Sequence, residues 1–331
     1  MANDANAHGL DFEAPIVELE NRIRELSAFA ETSDIDLSAQ IEEIERKCEE
    51  KKRAIYAHLN PWQRVQIARH PERPMTSDYI QHLATDFLEI HGDRTFWDDP
   101  AIVTGFGRIR GRKVLIVGNR KGKTTQEKIA CNFGCAHPEG YRKAMMKMRL
   151  AEKFRIPIIS FINTPGAYPG LGAEERGQAF VIARNLLDMA SLDVPIIATV
   201  IGEGGSGGAL GIGVADRILM LENSYYSVIS PEGCAAILWK DSSHAPRAAE
   251  ILKLTSSDLH GFGIVDEVIP EPLGGAHRDR IKTIASVEEA ILRQLDEVSD
   301  LDSQSRREAR YQKYRSIGRF SESQQSTVEG R

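Results

Sequence analysis

The stretch "IGEGGSGGALGIGVAD", residues 201–216, decides the fold. Six of the ten residues from 202 to 211 are glycine, and the apolar run "VPIIATV" precedes them. Glycine in the interior of a helix or strand costs about 0.5–1 kcal/mol relative to alanine. We therefore interpret the stretch as a junction between a strand and a helix. Glycine at such a junction either allows close packing or lets a ligand approach the backbone.

A second loop, "NTPGAYPGLGAEERGQ" (residues 163–178), also follows an apolar run, "IPIISFI". Both apolar runs are nearly continuous, as expected for parallel strands that helices cover on both faces. The carboxyl ends of neighbouring parallel strands meet at one edge of a sheet, where α/β proteins bind ligands. The sequence therefore predicts that the two loops lie together.

The remaining pattern predicts an α/β domain with a largely parallel sheet, because strands alternate with helices. Strands are predicted over 101–109 and 113–119, before a helix that starts at Pro138. Further predictions are a proline-punctuated connector over 61–80 and helices over 77–90, over 173–191 and from about Ser286.

Residues 1–60 predict two amphipathic helices separated by the polar break "ETSDIDLS", which is a helical hairpin. The hairpin either packs on its own domain or serves as a subunit contact, and the pattern is the same for both. At the other end, residues 296–331 are expected to hold the end of the last helix and a disordered polar tail.

Composition narrows the class of protein. The chain has 331 residues, a formal net charge of -6 and four irregularly spaced cysteines. The net negative charge does not favour nucleic-acid binding, and the cysteine spacing does not indicate a set of disulfide bonds. The apolar runs are too short to span a bilayer, and the first residues carry no signal-peptide pattern. We therefore expect a cytoplasmic protein, or a stromal one if it is plastid-encoded.

Three segments resemble known functional motifs only weakly: a P-loop, a zinc site and a catalytic serine. In "VGNRKGKTT" only three residues separate Gly118 from Gly122, whereas a P-loop needs four, so its lysines could attract a phosphate only by charge. "CNFGCAH" lacks the second ligand pair of a structural zinc site, and no metal is expected. Ser206 has no identifiable His or Asp partner for nucleophilic catalysis.

Several motifs together resemble the carboxyltransferase α subunits of bacterial and plastid acetyl-CoA carboxylase. In order along the chain they are "PEGYRKA", "TPGAYPG", "VIGEGGSGGAL", "YSVISPEGCAAILWK" and "IPEPLGGAHRD". The resemblance covers about residues 10–295. The departures are Cys131, where a basic residue is common, and a longer C-terminal tail.

The resemblance implies a crotonase-like fold of the ClpP/crotonase superfamily, built from repeated ββα units, over residues 61–295. It also implies transfer of a carboxyl group from carboxybiotin to acetyl-CoA, giving malonyl-CoA for fatty acid biosynthesis. The biotin would be carried on a separate biotin carboxyl carrier protein. The implied partners are a β subunit with a zinc ribbon, in an α2β2 assembly, and biotin carboxylase.

By resemblance, the N–H groups of Gly207 and Gly208 would stabilise negative charge on the biotin ureido oxygen. The residues expected to shape the biotin side are Gly204, Gly205, Gly166 and Ala167. Lys121 and Lys123 are candidates for a CoA phosphate. Glu203 is either a positioning group or a charge at the helix entry, and we favour the helix-entry charge. We expect valine at either catalytic glycine to stop carboxyl transfer without preventing assembly.

Two other functions stay open on the residues alone. A self-sufficient acyl-CoA hydratase or isomerase would need a side-chain acid or base beside the glycine loops, and neither loop offers a convincing one. A non-catalytic acyl-CoA-binding scaffold subunit would need none.

Overall fold

A computed structural model of the chain describes residues 10–33 and 36–318. Its helices are α1 (Ala14–Ser33), α2 (Ser38–Tyr56), α3 (Pro61–Ala68), α4 (Thr76–Leu83), α5 (Thr125–Ala130), α6 (Pro138–Lys153), α7 (Leu171–Glu175), α8 (Gln178–Ser191), α9 (Ser206–Leu210), α10 (Pro231–Trp239), α11 (Ala245–Leu252), α12 (Ser256–Gly261), α13 (Arg280–Ser299) and α14 (Ser303–Arg315). Its strands are β1 (Ala84–Glu89), β2 (Ile102–Ile109), β3 (Arg112–Asn119), β4 (Ile158–Thr164), β5 (Ile196–Gly205), β6 (Arg217–Leu221), β7 (Tyr225–Ser227) and β8 (Glu267–Ile269). The alternation of strands and helices confirms the predicted α/β class.

The strands form one mixed sheet in the order β1-β2-β3-β4-β5-β6-β8, with β7 paired to β5. β2 is antiparallel to both of its neighbours, β1 and β3, and the other pairs are parallel. β5 pairs with β6 through residues 197–200 and with β7 through residues 203–205. The strand thus changes its partner where the glycines begin.

Helices cover both faces of the sheet. One face packs on α6 and α8, and the other packs on α4 and α13. Successive residues of β4 and β5 alternate between the two apolar clusters because side chains alternate along a strand. Both strands are completely buried, which confirms that their apolar runs are strands covered on both sides.

Two predicted elements differ near the connector over 61–80. It contains α3, whose N-terminus is capped by the Asn60 side chain accepting from the Gln63 N–H at 2.9 Å. The helix predicted over 77–90 ends at Leu83, and β1 follows it. Pairing with the free edge of β2 decides this outcome, because tertiary contacts override local helix propensity.

Two helix boundaries also differ from the predictions. The helix predicted over 173–191 is broken into α7 and α8 at Gly177, whose φ of 82° is left-handed. The last predicted helix, α13, begins at Arg280 rather than near Ser286, because the side chain of Asp279 caps its first turn.

The segment over 296–331, predicted to hold the end of the last helix and a tail, contains a further helix, α14, which packs back on the domain. The buried guanidinium of Arg310 makes two 2.8 Å bonds to the carboxylate of Asp216, at the end of the glycine stretch. Arg310 also donates to carbonyls that follow α8, including Leu192 and Val194 at 2.9 and 3.0 Å. The polar tail is predicted for residues 316–331, and residues 319–331 of it lie outside the described residues.

The predicted N-terminal hairpin is present as α1 and α2, and its base contacts the domain. The guanidinium of Arg278, in the domain, pairs with Glu20 at 2.8 Å and with Glu13 at 3.3 Å, while the hydroxyl of Tyr56 donates to Glu13 within the hairpin segment. Ile16 is fully buried there. Its role as a subunit contact stays a prediction. Across the described part of the chain, no helix is long and apolar enough to cross a membrane.

Candidate active site

The two glycine loops meet, as the sequence predicts. β4 and β5 are adjacent and parallel, and Thr164 is in register with Gly204. The backbone of the first loop lies directly against the second. A Cβ atom added at Gly205 would lie 2.9 Å from the Gly166 nitrogen, and one added at Gly208 would lie 2.6 Å from the Ala167 nitrogen. The loops can approach this closely only because both positions are glycine.

The glycines of the junction differ in how closely other atoms pack against them. Gly204 leaves room for the ring of Tyr226, which an added Cβ atom would approach to 2.9 Å. At Gly207 an added Cβ atom would make only an ordinary 3.5 Å contact with Ile182. Packing thus requires Gly205 and Gly208 but not Gly207. The expectation that Gly208→Val spares assembly is weakened, because that change would also displace the Gly166 loop.

The first turn of α9 offers backbone N–H donors at this junction. α9 begins at Ser206, slightly before the predicted start, and its first-turn N–H groups have no acceptor within the helix. Ser206 and Gly207 are half-buried, whereas Gly208 is buried. In the facing loop, the Gly166 N–H is used locally by the Thr164 hydroxyl at 3.1 Å. Gly207 is therefore the accessible member of the predicted catalytic pair.

Two asparagines join the strand ends below the loops. The Asn119 side-chain oxygen, at the end of β3, accepts from the Asn163 N–H at 3.1 Å. The Asn163 side-chain oxygen in turn accepts from the Glu203 N–H at 3.2 Å. These bonds fix the relative height of three strand ends, and hence the position of both loops.

Glu203 lies in a buried cluster of charges and is not a helix-entry charge, which corrects the prediction. Its carboxylate accepts from the Arg69 guanidinium at 2.6 Å, the Tyr225 hydroxyl at 2.8 Å and the Lys121 ammonium. Burial alone would raise the pKa of Glu203, but Lys121 and Arg69 overcome it and lower the pKa to about 2. An ionised carboxylate with three donors is a poor proton acceptor near neutral pH.

A second buried pair supports the same region from below. Arg73 donates to the Ile201 carbonyl at 2.7 Å and makes a two-point ion pair with Glu271. Both side chains are almost completely buried. Burial by itself raises the pKa of Glu271, and the facing Arg73 lowers it below its ordinary value. Arg73 thereby ties β5 to the segment that follows β8.

The predicted phosphate-binding lysines are both paired with carboxylates. Lys121 belongs to the Glu203 cluster and is largely buried, so its charge is neutralised within the protein. Lys123 pairs with Asp78 at 2.5 Å, but half of its side chain is exposed. The structure therefore brings Lys121 to the glycine junction and directs Lys123 toward α4.

Residues of the connector over 61–80 are the functional residues that sequence reasoning missed. Arg69 follows α3, and Arg73 lies between α3 and α4. The Asn60-Pro61 pair was an available signal for a capped helix there, since proline favours the first helical position. No pattern in the sequence, however, assigns these arginines to partners more than a hundred residues away.

The "CNFGCAH" segment shows no metal site. Cys131 is buried, and burial raises the pKa of its thiol. The ring of His137 lies against the ring of Tyr168, with centroids 4.2 Å apart and the planes tilted by 39°. Over residues 10–33 and 36–318, no group of three or more His, Cys, Asp or Glu side chains could hold a metal ion.

A cavity of about 380 Å³ opens beside the start of α9. Its lining is mostly apolar and includes Leu210, Tyr226, Val228 and Leu252, with Ser206 at the junction itself. The site therefore combines an apolar groove with backbone donors and a saturated carboxylate. Such a site can hold an uncharged ring system and stabilise negative charge that develops on one of its oxygens.

Comparison with known proteins identifies close relatives. The family model described as "Acetyl co-enzyme A carboxylase carboxyltransferase-like" matches residues 9–318. The acetyl-coenzyme A carboxylase carboxyl transferase subunit alpha of Syntrophotalea carbinolica is 54% identical, over 93% of this chain and 97% of the relative. The protein of the same name from Geobacter metallireducens is 52% identical, over 96% of this chain and 100% of the relative.

Solved structures show a similar fold at low sequence identity. The β subunit of Pseudomonas aeruginosa geranyl-CoA carboxylase is 17% identical, with a TM-score of 0.54 over 76% of this chain. Transcarboxylase 12S is 20% identical, with a TM-score of 0.53 over 76% of this chain. This chain spans 46% and 44% of the length of those two chains.

Proposed function

The chain belongs to the family of acetyl-CoA carboxylase carboxyltransferase α subunits, and we propose that it handles the biotin side of carboxyl transfer to acetyl-CoA. The fold is crotonase-like, as predicted. The family is one of carboxyltransferases, so the chain is an enzyme subunit. The product of the proposed reaction is malonyl-CoA, which feeds fatty acid biosynthesis.

The observation that carries this proposal is the state of Glu203. The carboxylate nearest to the glycine junction is ionised and accepts from three donors, so it is unsuited to take a proton. A hydratase or isomerase working here would need a side-chain base with a pKa near neutrality. Carboxyl transfer needs no such base, because biotin supplies the carboxyl group and itself accepts the α-proton of acetyl-CoA.

The backbone of the junction would provide the stabilisation. As the carboxyl group leaves, negative charge moves onto the ureido oxygen of biotin, and N–H groups aimed at this oxygen stabilise it. One such donor is worth on the order of 3 kcal/mol in related sites. We assign this role to Gly207 and Gly208, with Gly207 the accessible one. Gly204, Gly205, Gly166 and Ala167 would hold the two loops in place around the ring.

The proposed partners follow from the family and from an exposed apolar surface. Leu171, Phe180 and Leu187 on α7 and α8 are 71%, 74% and 65% exposed. Exposed apolar groups of this size mark contacts between proteins. We propose that this surface packs on a zinc-ribbon-bearing β subunit in an α2β2 assembly. A biotin carboxyl carrier protein and biotin carboxylase would complete the cytoplasmic enzyme.

The acetyl-CoA side is assigned mainly to the β subunit. In this chain, Lys123 is the better of the two predicted lysines for a CoA phosphate, because half of its side chain is exposed. Lys121 would instead act through Glu203, which it neutralises.

The decisive experiment measures malonyl-CoA decarboxylation in the presence of free biotin, with the purified chain alone and with a β subunit. We expect activity only in the mixture. Hydration or isomerisation of an acyl-CoA by the chain alone would support the hydratase instead. Binding of acyl-CoA without turnover in either sample would support a scaffold role.

A further inference from the structure

Ser206 is the residue of the glycine junction that has a strained backbone conformation. Ser206 has a φ of 50°, in the left-handed region that favours glycine. The glycines around it, Gly204, Gly205, Gly207 and Gly208, have no such left-handed φ. Glycine at position 206 would relieve the strain, and glycine is common throughout this segment. A strained residue that could be relaxed so simply points to a function for its side chain.

The hydroxyl of Ser206 has no partner within the protein. Among residues 10–33 and 36–318, no group forms a hydrogen bond with it. Its neighbours in the 380 Å³ cavity differ. The Ser227 hydroxyl accepts from the Ile229 N–H at 3.4 Å, and the Tyr314 hydroxyl accepts from the Ala215 N–H at 2.9 Å. Ser206 therefore presents a free polar group at the junction end of a largely apolar cavity.

The position of Ser206 relates this group to the proposed reaction. Ser206 directly precedes Gly207, and these two residues are the half-buried members of the junction between Gly204 and Ala209. Ser206 lines the cavity, and Gly207 is the next residue of the chain. Most of the cavity lining is apolar, with Lys253 as the charged residue among those that line it, and an uncharged ring with one polar edge suits such a lining.

We propose that the Ser206 hydroxyl is a further catalytic residue, which donates a hydrogen bond to the ureido oxygen of biotin next to the Gly207 N–H. This inference rests on the proposed function. The hydroxyl keeps its proton throughout and forms no covalent bond. It stabilises the charge that develops on the oxygen, and the strained backbone holds it in that position.

The test uses the α2β2 assembly with free biotin and malonyl-CoA, and compares Ser206→Gly with Ser206→Ala. Both variants lose the hydroxyl, but only glycine also relieves the strain. We expect both to lower kcat on the order of 10²-fold, the loss seen when one oxyanion donor is removed. The KM for malonyl-CoA should stay unchanged, because Ser206 does not contact CoA in this assignment.

Two measurements without turnover accompany the kinetics. Ligand-observed NMR should show that both variants bind free biotin about two- to tenfold more weakly, as expected for one lost hydrogen bond. The thermal midpoint of Ser206→Gly should rise by about 2 °C, because its strain is gone. The matched control is Lys240→Gly, which relieves a similar φ of 60° on the exposed end of α10. It should raise the midpoint and leave kcat unchanged.

A structural role for Ser206 predicts the opposite kinetics, since relief of strain by glycine would then preserve turnover. Wild-type kcat in Ser206→Gly, or unchanged affinity of that variant for biotin, would overturn the inference. If instead the unsubstituted assembly transfers no carboxyl group between malonyl-CoA and biotin, the proposed function itself fails.

Discussion

Replacing Glu203 by glutamine would remove the negative charge from the cluster below the glycine junction. The carboxylate is 7% exposed and lies between Arg69 and Lys121, so the variant leaves two cations close together with little solvent to screen them. Breaking a buried ion pair by removing one partner costs about 3–5 kcal/mol. We expect Glu203→Gln to destabilise the fold by an amount of this order.

The pKa of Glu203 gives a second measure of the same effect. The carboxyl has an ordinary pKa of 4.5 and a folded-state pKa of about 2. At about 1.4 kcal/mol per pH unit, this difference corresponds to about 3 kcal/mol. Because the folded-state value is the lower one, the stabilisation is complete above pH 4.5 and is lost as the pH falls toward 2. The gap between wild type and Glu203→Gln should therefore narrow below pH 4.5.

Thermal unfolding at pH 7 is the assay, with the midpoint of the variant expected about 5–10 °C below that of the wild type. The matched control is Glu50→Gln, which removes a carboxylate 61% exposed and paired with Arg46 at 2.8 Å. Exposed pairs of this kind contribute about 0.3–0.5 kcal/mol, so the control should shift the midpoint by about 1 °C. An equally small shift for Glu203→Gln would refute the idea that its charge organises the junction.

Three further predictions concern other parts of the chain. Arg310→Met leaves Asp216 buried without its cation, so the free energy of unfolding should fall by about 3–5 kcal/mol and α14 should lose protection from hydrogen exchange. Unchanged exchange in α14 would contradict its anchoring by Arg310. Gly207→Val should lower carboxyl transfer on the order of 10²-fold while the thermal midpoint stays near that of the wild type, whereas Gly208→Ala should lower the midpoint as well; equal effects on stability would argue against the distinction drawn between these glycines. Removal of residues 1–60 should weaken association with the β subunit, and an unchanged sedimentation profile of the mixture would dismiss the hairpin as a subunit contact.

Much of the central sheet could be predicted from the sequence. The nearly continuous apolar runs of β4 and β5 predict buried parallel strands, because only strands covered on both faces lack alternating polar residues. The motifs at their carboxyl ends then predict the candidate site. β1 could not be predicted in this way, since residues 77–90 carry a helical start signal and only the edge of β2 turns their second half into a strand.

The charged residues that support the site could not be predicted from the sequence either, because their partners are distant in the chain. Whether a charged residue such as Arg69 or Arg73 is solvated or buried depends on which carboxylate the fold brings to it. Glu203, read from its neighbours in the sequence, looked like a charge at a helix entry. Its burial against Arg69, Lys121 and Tyr225 is visible only once β5 lies beside α3 and β7.

The sequence by itself determined the α/β class, the place of the two glycine loops and the family, since these follow from local periodicity and from motifs in a fixed order. The tertiary structure decided which glycine serves which purpose. Gly205 and Gly208 make room for the Pro165–Ala167 backbone, Gly207 stays open, and Ser206 bears the strain. Composition cannot distinguish these roles, because each depends on which atoms of distant segments lie within a few ångströms of the backbone.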